Sequence, residues 1–402
     1  MKYTPLHPDT LADPFAVYAE IRREHPVFWH EELHAWIVSG YRDCKSVLAA
    51  PDVFSRNPMR VLGLGEQDIE EMTIQSHDPP HSMPLRRAIS TAFEHVDVEE
   101  ICQESVSLLE ELFARQVNRG HFDFMEEVAA PVALDFATRL VGVRGLSVER
   151  YSRMFTEITR AMDSALEPQR QRAGELATEE LNKVVNLSME HFLPGSVLAG
   201  LHAQDAIKSM SFGYVRNTVS AMFNAAYSTA YTSMGSFLNL GLQDPSLVAE
   251  IKECDSMTGV VQELLRLTSP AQATMRFAAQ DVSLGGEKIR KTDPLITLLA
   301  SANRDSEMFM DADKFNPDRN AKAHLGFGWG PHFCVGAMPA QLFLRHYIER
   351  LGWMTSQVIL SGGAEWMDTV TLRCLASLDL EAIEYGEDGV ESEDVECFVT
   401  GG

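Results

Sequence analysis

Basic residues are scarce in this chain: 34 lysines and arginines stand against 58 aspartates and glutamates, for a net charge of −24. A surface that tracks phosphates needs the opposite balance, so nucleic-acid binding is excluded on charge. The same excess favours solubility and says nothing about fold. Cysteine is scarce too, with Cys44, Cys102, Cys254, Cys334, Cys374 and Cys397 far apart and no Cys-x-x-Cys pair. That spacing excludes a disulfide framework and reads as reduced thiols in a cytosolic protein. Long apolar runs are missing, since nothing approaches the roughly 20 residues needed to cross a bilayer. The first 24 residues already carry Asp9, Asp13, Glu20, Arg22, Arg23 and Glu24, and so lack the apolar core of a signal peptide. The expectation is a soluble, cytoplasmic protein without a membrane segment.

Internal repeats and dividing linkers are also absent. What remains is ordinary globular material: 402 residues, 45% hydrophobic and 23% charged, enough for a large buried core. Asp13-Pro14 opens a helical pattern with Phe15, Tyr18 and Ile21 on one face. Two short β-rich runs follow, Val27-Phe28-Trp29 and Ala35 to Val38, and Tyr41 to Leu48 returns to helical period. From about 98 to 270 the pattern is almost uniformly helical. Around 271–300 it changes to strand, with turns at Gly285-Gly286 and Thr292-Asp293-Pro294. Residues 302–333 read as a long irregular loop, and loops of that length in a compact domain are usually functional or disordered. The helix that follows from Ala337 to Leu351 argues for an ordered one. We expect a single, mainly α domain over residues 1–383 with a minor β region, then an acidic, solvated tail at 384–402.

The most informative stretch runs Phe327-Gly328-Trp329-Gly330-Pro331-His332-Phe333-Cys334-Val335-Gly336. A cysteine in a Gly-rich loop just before a helix meets backbone N–H groups and a helix dipole, both of which favour thiolate. The glycines let backbone approach something flat and bulky. A loop cysteine without such a partner is usually inert. His332 offers Cys334 a metal-binding companion, but no second pair with zinc spacing exists.

These residues carry a resemblance to the cytochrome P450 superfamily, in particular its soluble bacterial members. Phe327, Gly330, Cys334 and Gly336 meet the family's Phe-x-x-Gly-x-x-x-Cys-x-Gly signature in full. Glu263-Leu-Leu-Arg266 matches its Glu-x-x-Arg helix motif, and Phe315-Asn-Pro-Asp-Arg319 the segment that completes a Glu–Arg–Arg network. A lone Glu-x-x-Arg is commonplace on helix surfaces; in this order ahead of the cysteine it is specific. Asp13-Pro14-Phe15, His77-Asp78-Pro79-Pro80 and Leu375-Ala376-Ser377-Leu378 extend the likeness to nearly the whole chain.

The resemblance implies the cytochrome P450 fold, a helix-rich triangular prism with small sheets near the N-terminus and in the C-terminal half. It implies haem b with Cys334 as the axial thiolate, whose anionic sulfur favours O–O cleavage when dioxygen binds opposite. Phe327 would shield that sulfur, and Arg86, Arg276 and His324 would face the haem propionates. Glu263, Arg266 and Arg319 would be structural. Two departures stand out. The family's His-x-x-x-Arg reads Ser82-Met-Pro-Leu-Arg86, leaving either Ser82 or the neighbouring His81 to reach a propionate. The oxygen-activating Ala-Gly-x-(Asp/Glu)-Thr site falls on Ala225-Ala226-Tyr227-Ser228-Thr229, which keeps Thr229 but replaces the acid by Ser228 and the glycine by Ala226.

By family position, Met59, Leu62, Met222, Thr274 and Met275 suggest an apolar, adaptable pocket for a small to mid-sized organic molecule. The implied activity is that of a monooxygenase. The alternatives are a haem-thiolate enzyme that uses peroxide or performs coupling or another non-inserting oxidation, for which Ser228 speaks, and a non-enzymatic haem sensor. No flavin or nicotinamide motif is present, so electrons would come from a ferredoxin and its reductase, docking near Arg87, Lys322 and Arg345.

Overall fold

The computed structural model describes residues 3–65, 68–319 and 321–383, and the acidic tail expected at 384–402 lies outside them. Its axis is one helix, Phe212–Gln243, whose 32 residues span about 48 Å. Ser211 starts it by accepting from the Tyr214 amide at 3.1 Å, and no proline interrupts it. Asp244 ends it and caps the next helix, Pro245–Glu253, through the Ser246 and Leu247 amides at 3.1 and 3.3 Å. The helix lacks a single apolar stripe because it is buried on several sides, with Val215, Val219, Phe223, Tyr227, Met234, Phe237 and Leu238 all in the core. Ala130–Val141, Gln171–Glu190 and Ala337–Thr355 pack against it.

The helical stretch expected over 98–270 is present, broken by the short strand His121–Asp123 and the π turn Met125–Ala129. The helix Pro14–Glu24 begins where Asp13-Pro14 placed it, with the Asp13 carboxylate accepting from the Phe15 amide at 3.0 Å. Among the described residues two small sheets flank the helices, besides the two-stranded hairpin Val282–Leu284 and Glu287–Ile289. The first, in order Val27–His30, Ala35–Val38, Pro294–Leu298, Ala273–Ala278 and Phe54–Ser55, joins the N-terminal hairpin to strands some 250 residues on. In it Trp36 pairs with Leu295 in parallel register and Met275 with Ile296 in antiparallel register. The second sheet sets Leu375–Ala382 between His121–Asp123 and Val358–Trp366. Among the described residues no helix is long and apolar enough to cross a membrane.

The irregular segment 302–333 is held in place by buried charge. Glu263 and Arg266, on the helix Met257–Thr268, are fully buried and bonded at 2.8 Å. The remaining Arg266 donors reach the carbonyls of Asn303 at 2.8 Å and Ala312 at 2.6 Å. Arg319 returns to Glu263 at 2.7 Å, and the Asn316 amide donates to the same carboxylate at 3.0 Å. A buried carboxylate and guanidinium that satisfy each other and four further backbone and side-chain groups fix a loop that has no regular structure of its own.

Candidate active site

Cys334 sits between the turn Gly330–His332 and the helix Ala337–Thr355. Its amide donates to the Phe327 carbonyl at 2.9 Å, and Phe333 N–H to Gly330 O at 3.0 Å, closing the loop on itself. Gly330 has φ +71°, and a Cβ there would come within 2.8 Å of the Leu48 carbonyl, so the signature glycine is demanded by this close approach. Cys334 is exposed on the loop. Protein packed round the sulfur pushes the thiol up, opposed by the Gly336 N–H and the Arg86 charge. The first turn of the Ala337 helix carries no side-chain cap, so its amide dipoles are left to face the sulfur side. Phe327 lies 5.4 Å from the His324 ring and 6.2 Å from Phe333.

The Ala337 helix runs alongside the long helix in the same direction. Tyr347 donates to the Met234 carbonyl at 2.7 Å, and Gly241 faces Leu351 and Thr355. Counting back along both by the same offset, Cys334 falls level with about residues 220–224, just ahead of the stretch 225–229. There Met222, Ala225, Ala226 and Thr229 are partly or fully open, and their spacing of three and four puts them on one face. Ser228 and Tyr227 point into the core, and the Ser228 hydroxyl donates to the Ala225 carbonyl at 3.2 Å. Thr229 and Ser228, adjacent in sequence, thus look in different directions.

A second feature of the site is a concentration of cations around one acid. Asp78 is buried and accepts from the Ser55 hydroxyl and from the Arg56 amide at 2.9 Å. Arg60 lies 3.6 Å from it and His332 3.5 Å. Burial alone would raise its carboxyl, but His332, Ser55, the Arg56 amide and Arg60 outweigh that and hold it below the usual carboxylate range. Arg276, buried in the strand Ala273–Ala278, is pushed down to about 9 by burial and by Arg56, against the pull of Asp78. Its Nη1 donates to Thr274 Oγ1 at 3.0 Å and to the Met275 carbonyl at 2.8 Å. Arg86, on the helix Met83–Phe93, donates to the Phe333 carbonyl beside Cys334.

Arg56, Arg60, Arg86 and Arg276 against the single Asp78 leave positive charge in excess, in a molecule that is otherwise strongly acidic. Ser82 Oγ is buried without a hydrogen-bond partner, and His332 Nε2 has nothing closer than the long 3.5 Å approach to Asp78. Buried polar atoms are normally paired. A dianionic group with several acceptor oxygens, such as a haem dipropionate, matches both the charge and the orphaned donors.

Of the expected propionate partners, Arg86 and Arg276 fall in this region. His324 does not have a nitrogen to spare: Nε2 is bonded to Gln262 Oε1 at 3.1 Å, and Nδ1 accepts from the Gly326 amide at 3.0 Å. Its side chain braces the loop ahead of the cysteine. Burial pushes its pKa down to about 4, so the ring is neutral. His332, read from sequence only as a metal companion of Cys334, takes the place beside Arg276. Sequence gives Asp78 and Arg56 no individual role, and the one signal for them is a charged residue inside each of the otherwise structural runs Phe54-Ser55-Arg56 and His77-Asp78-Pro79. Ser82 is fully buried, whereas His81 is exposed and stacks on His77 at 5.3 Å, so Ser82 is the one of the two that faces inward.

A family model described as Cytochrome P450 matches residues 148–356, just over half of the chain. The chain is 27% identical over 362 residues to 6-deoxyerythronolide B hydroxylase of Saccharopolyspora erythraea, covering 83% of this chain and 88% of that protein. It is 26% identical over 361 residues to linalool 8-monooxygenase of Pseudomonas putida, covering 84% and 88%. Among solved structures, the cytochrome P450 PksS of the Bacillus subtilis 168 bacillaene polyketide synthase superposes with a TM-score of 0.82 at 22% identity, over 95% of this chain and all of that one.

Proposed function

Because the chain belongs to the cytochrome P450 family, we propose that its Cys334 is the axial thiolate of a haem b and that the open face of the long helix, with Thr229, is where substrate is oxidised. The protein is a haem-thiolate monooxygenase, and the bound haem supplies dioxygen activation and insertion of one oxygen atom into an organic substrate. What supports the assignment is a Cys334 flanked by the Gly336 amide and the Arg86 charge, in a loop whose His332 stands with Arg276 around Asp78.

Each residue has a task that its surroundings support. Gly336 N–H and the uncapped helix end stabilise negative charge on the Cys334 sulfur. Phe327 covers the loop side and limits water there. Arg86, Arg276, His332 and Ser82 hold the propionates, while His324 positions the loop. Thr229 presents a hydroxyl that orders water and passes a proton at the open face. Met59, Leu62, Met222, Thr274 and Met275 offer apolar, adaptable contact to a small to mid-sized substrate. Electrons come from a redox partner protein, and we assign that role to a ferredoxin served by an NAD(P)H-dependent reductase.

If Cys334 is the ligand, the reduced carbon monoxide adduct shows the far-red-shifted Soret band of a thiolate haem. Cys334→Ala abolishes the band while helix content by circular dichroism is largely kept, because the core is spread over many helices. An unchanged band in the variant eliminates the assignment. A second reading, peroxide-driven or non-inserting oxidation, is favoured by Ser228, whose hydroxyl is committed to the Ala225 carbonyl where relatives of this pattern carry an acid. Product formed from hydrogen peroxide alone, and not from ferredoxin, reductase and NAD(P)H, selects it.

A further inference from the structure

Ser82 stands where the family's pattern has a histidine, and its hydroxyl does nothing locally. It is the N-cap residue of the helix Met83–Phe93 yet makes no capping bond, and it is fully buried without a partner. Arg86 lies one turn further on, so the two side chains share a face. A serine hydroxyl stays close to its backbone and reaches far less than an imidazole. A group bound between this face and the cysteine loop therefore lacks the donor that a histidine would extend to it.

Tyr214, in the first turn of the long helix, supplies an unused hydroxyl here. The residue is 4% exposed and its phenol oxygen has no hydrogen-bond partner, whereas buried phenols normally find one. The ring stands edge-on against His77, with centroids 5.5 Å apart and planes at 86°, and His77 stacks in turn on His81. His77 Nδ1 is also buried and unpartnered. The backbone behind the phenol is tied down on both sides. Glu70 accepts from the Ser211 hydroxyl at 2.6 Å and the Gly213 amide at 2.8 Å, and the Ile74 amide donates to Thr218 at 3.2 Å. Packing, and no bond of its own, holds the hydroxyl where it is.

Arg86 links Tyr214 to the cysteine loop. It donates to the Phe333 carbonyl beside Cys334, and its charge acts on the phenol. Burial pushes that phenol up to about 12 and the Arg86 charge pulls the other way, so the hydroxyl keeps its proton at neutral pH. No bond joins the two. Ser82, Tyr214 and Arg86 all have hydrogens to give, and what satisfies them together is a negative acceptor with more than one oxygen. We propose that the Tyr214 hydroxyl donates to a haem propionate in place of the histidine that this chain lacks at Ser82, with His77 orienting the ring. The proposal rests on reading Arg86 as a residue that faces a propionate.

Tyr214→Phe removes one oxygen and keeps the ring against His77, and two effects follow. Haem transfer to apomyoglobin should run about tenfold faster, the factor carried by one hydrogen bond to a charged group. The haem-free variant should melt no lower than the haem-free parent, because the atom removed is a buried hydroxyl without a partner. A tyrosine of structural importance only would lower that midpoint. Iron protoporphyrin dimethyl ester is the control, since its esterified propionates carry no charge: parent and variant should release it within about twofold of each other. Ser82→His in the Tyr214→Phe background should slow the release of ordinary haem again. Equal haem release by parent and Tyr214→Phe, a difference undiminished with the ester, a lowered haem-free midpoint, or a folded double variant that releases haem as fast as Tyr214→Phe overturns the proposal. Should the double variant not fold, the single variant and the ester decide without it. A parent protein without the thiolate-type carbon monoxide band is instead a failure of the haem assignment, read before any rate is measured.

Discussion

Thr229 and Ser228 are neighbours in the chain but about 100° apart around the helix, and that rotation separates their chemistry. Thr229 stands with Met222, Ala225 and Ala226 on the open face, whereas Ser228 is buried and gives its proton to a backbone carbonyl. A serine hydroxyl does not supply a net proton at neutral pH; it relays one at most. Thr229→Ala should therefore uncouple the enzyme, with NAD(P)H still consumed but its electrons recovered as hydrogen peroxide. Ser228→Ala should cost about tenfold or less in product formation, the size of one neutral hydrogen bond of roughly 1 kcal/mol. The ordering, measured as product formed per NAD(P)H oxidised, is the check: a greater loss in Ser228→Ala contradicts this division of roles. At this scale the shape of the cysteine loop is legible because the groups that close it, Phe327 and Gly330, are close in sequence, whereas Thr229 rests on the family resemblance. The surroundings of His332 are not legible, since Asp78 and Arg276 are brought near it only by the folded chain. The same holds for His324, whose engagement by Gln262 depends on a helix some 60 residues earlier.

Among the elements, the Glu263-x-x-Arg266 pair shows what spacing alone leaves out. As sequence it is indistinguishable from a solvated i,i+3 pair of small consequence. In the fold both groups are fully buried, and the pair is completed by Arg319, the Asn316 amide and the carbonyls of Asn303 and Ala312. Removing one charge leaves the other buried and uncompensated, a loss of about 3–5 kcal/mol. Glu263→Gln should accordingly lower the thermal midpoint sharply and speed haem loss to apomyoglobin, because the segment it anchors leads into the Cys334 loop. Arg319→Lys should be milder, as it keeps the charge and loses the planar fork. A Glu263→Gln protein with parental midpoint and haem retention contradicts the anchoring role. The helices and the hairpin were readable from capping and period, with Asp13-Pro14 and the Ala337 helix as the clearest cases. The pairing of Ala35–Val38 with Pro294–Leu298 was not, because parallel register between distant strands leaves no local trace.

For the whole molecule the governing quantity is the net charge of −24, which opposes the approach of the acidic ferredoxin proposed as electron donor unless one face is locally basic. The positions proposed for that face, from the family resemblance, are Arg87, Lys322 and Arg345. All three are exposed, and Arg345 also donates to Glu349 at 3.2 Å, so a carboxylate stands beside its charge. Lys45, stacked 4.0 Å over the Trp329 ring of the cysteine loop, adds a further cation nearby. Steering by such charges raises association rates, and it is screened beyond about 10 Å at 0.1 M salt and about 3 Å at 1 M. Electron transfer from a reduced ferredoxin should therefore slow steeply between these two conditions, with the loss in the association rate rather than in the rate at saturation. Arg87→Glu and Lys322→Glu should reproduce the loss at low salt. Arg345→Glu should do less, since reversing a charge that Glu349 already opposes changes the local field less at the docking surface. Rates that do not move with salt, or an Arg345→Glu effect larger than the other two, place the docking face elsewhere on the molecule.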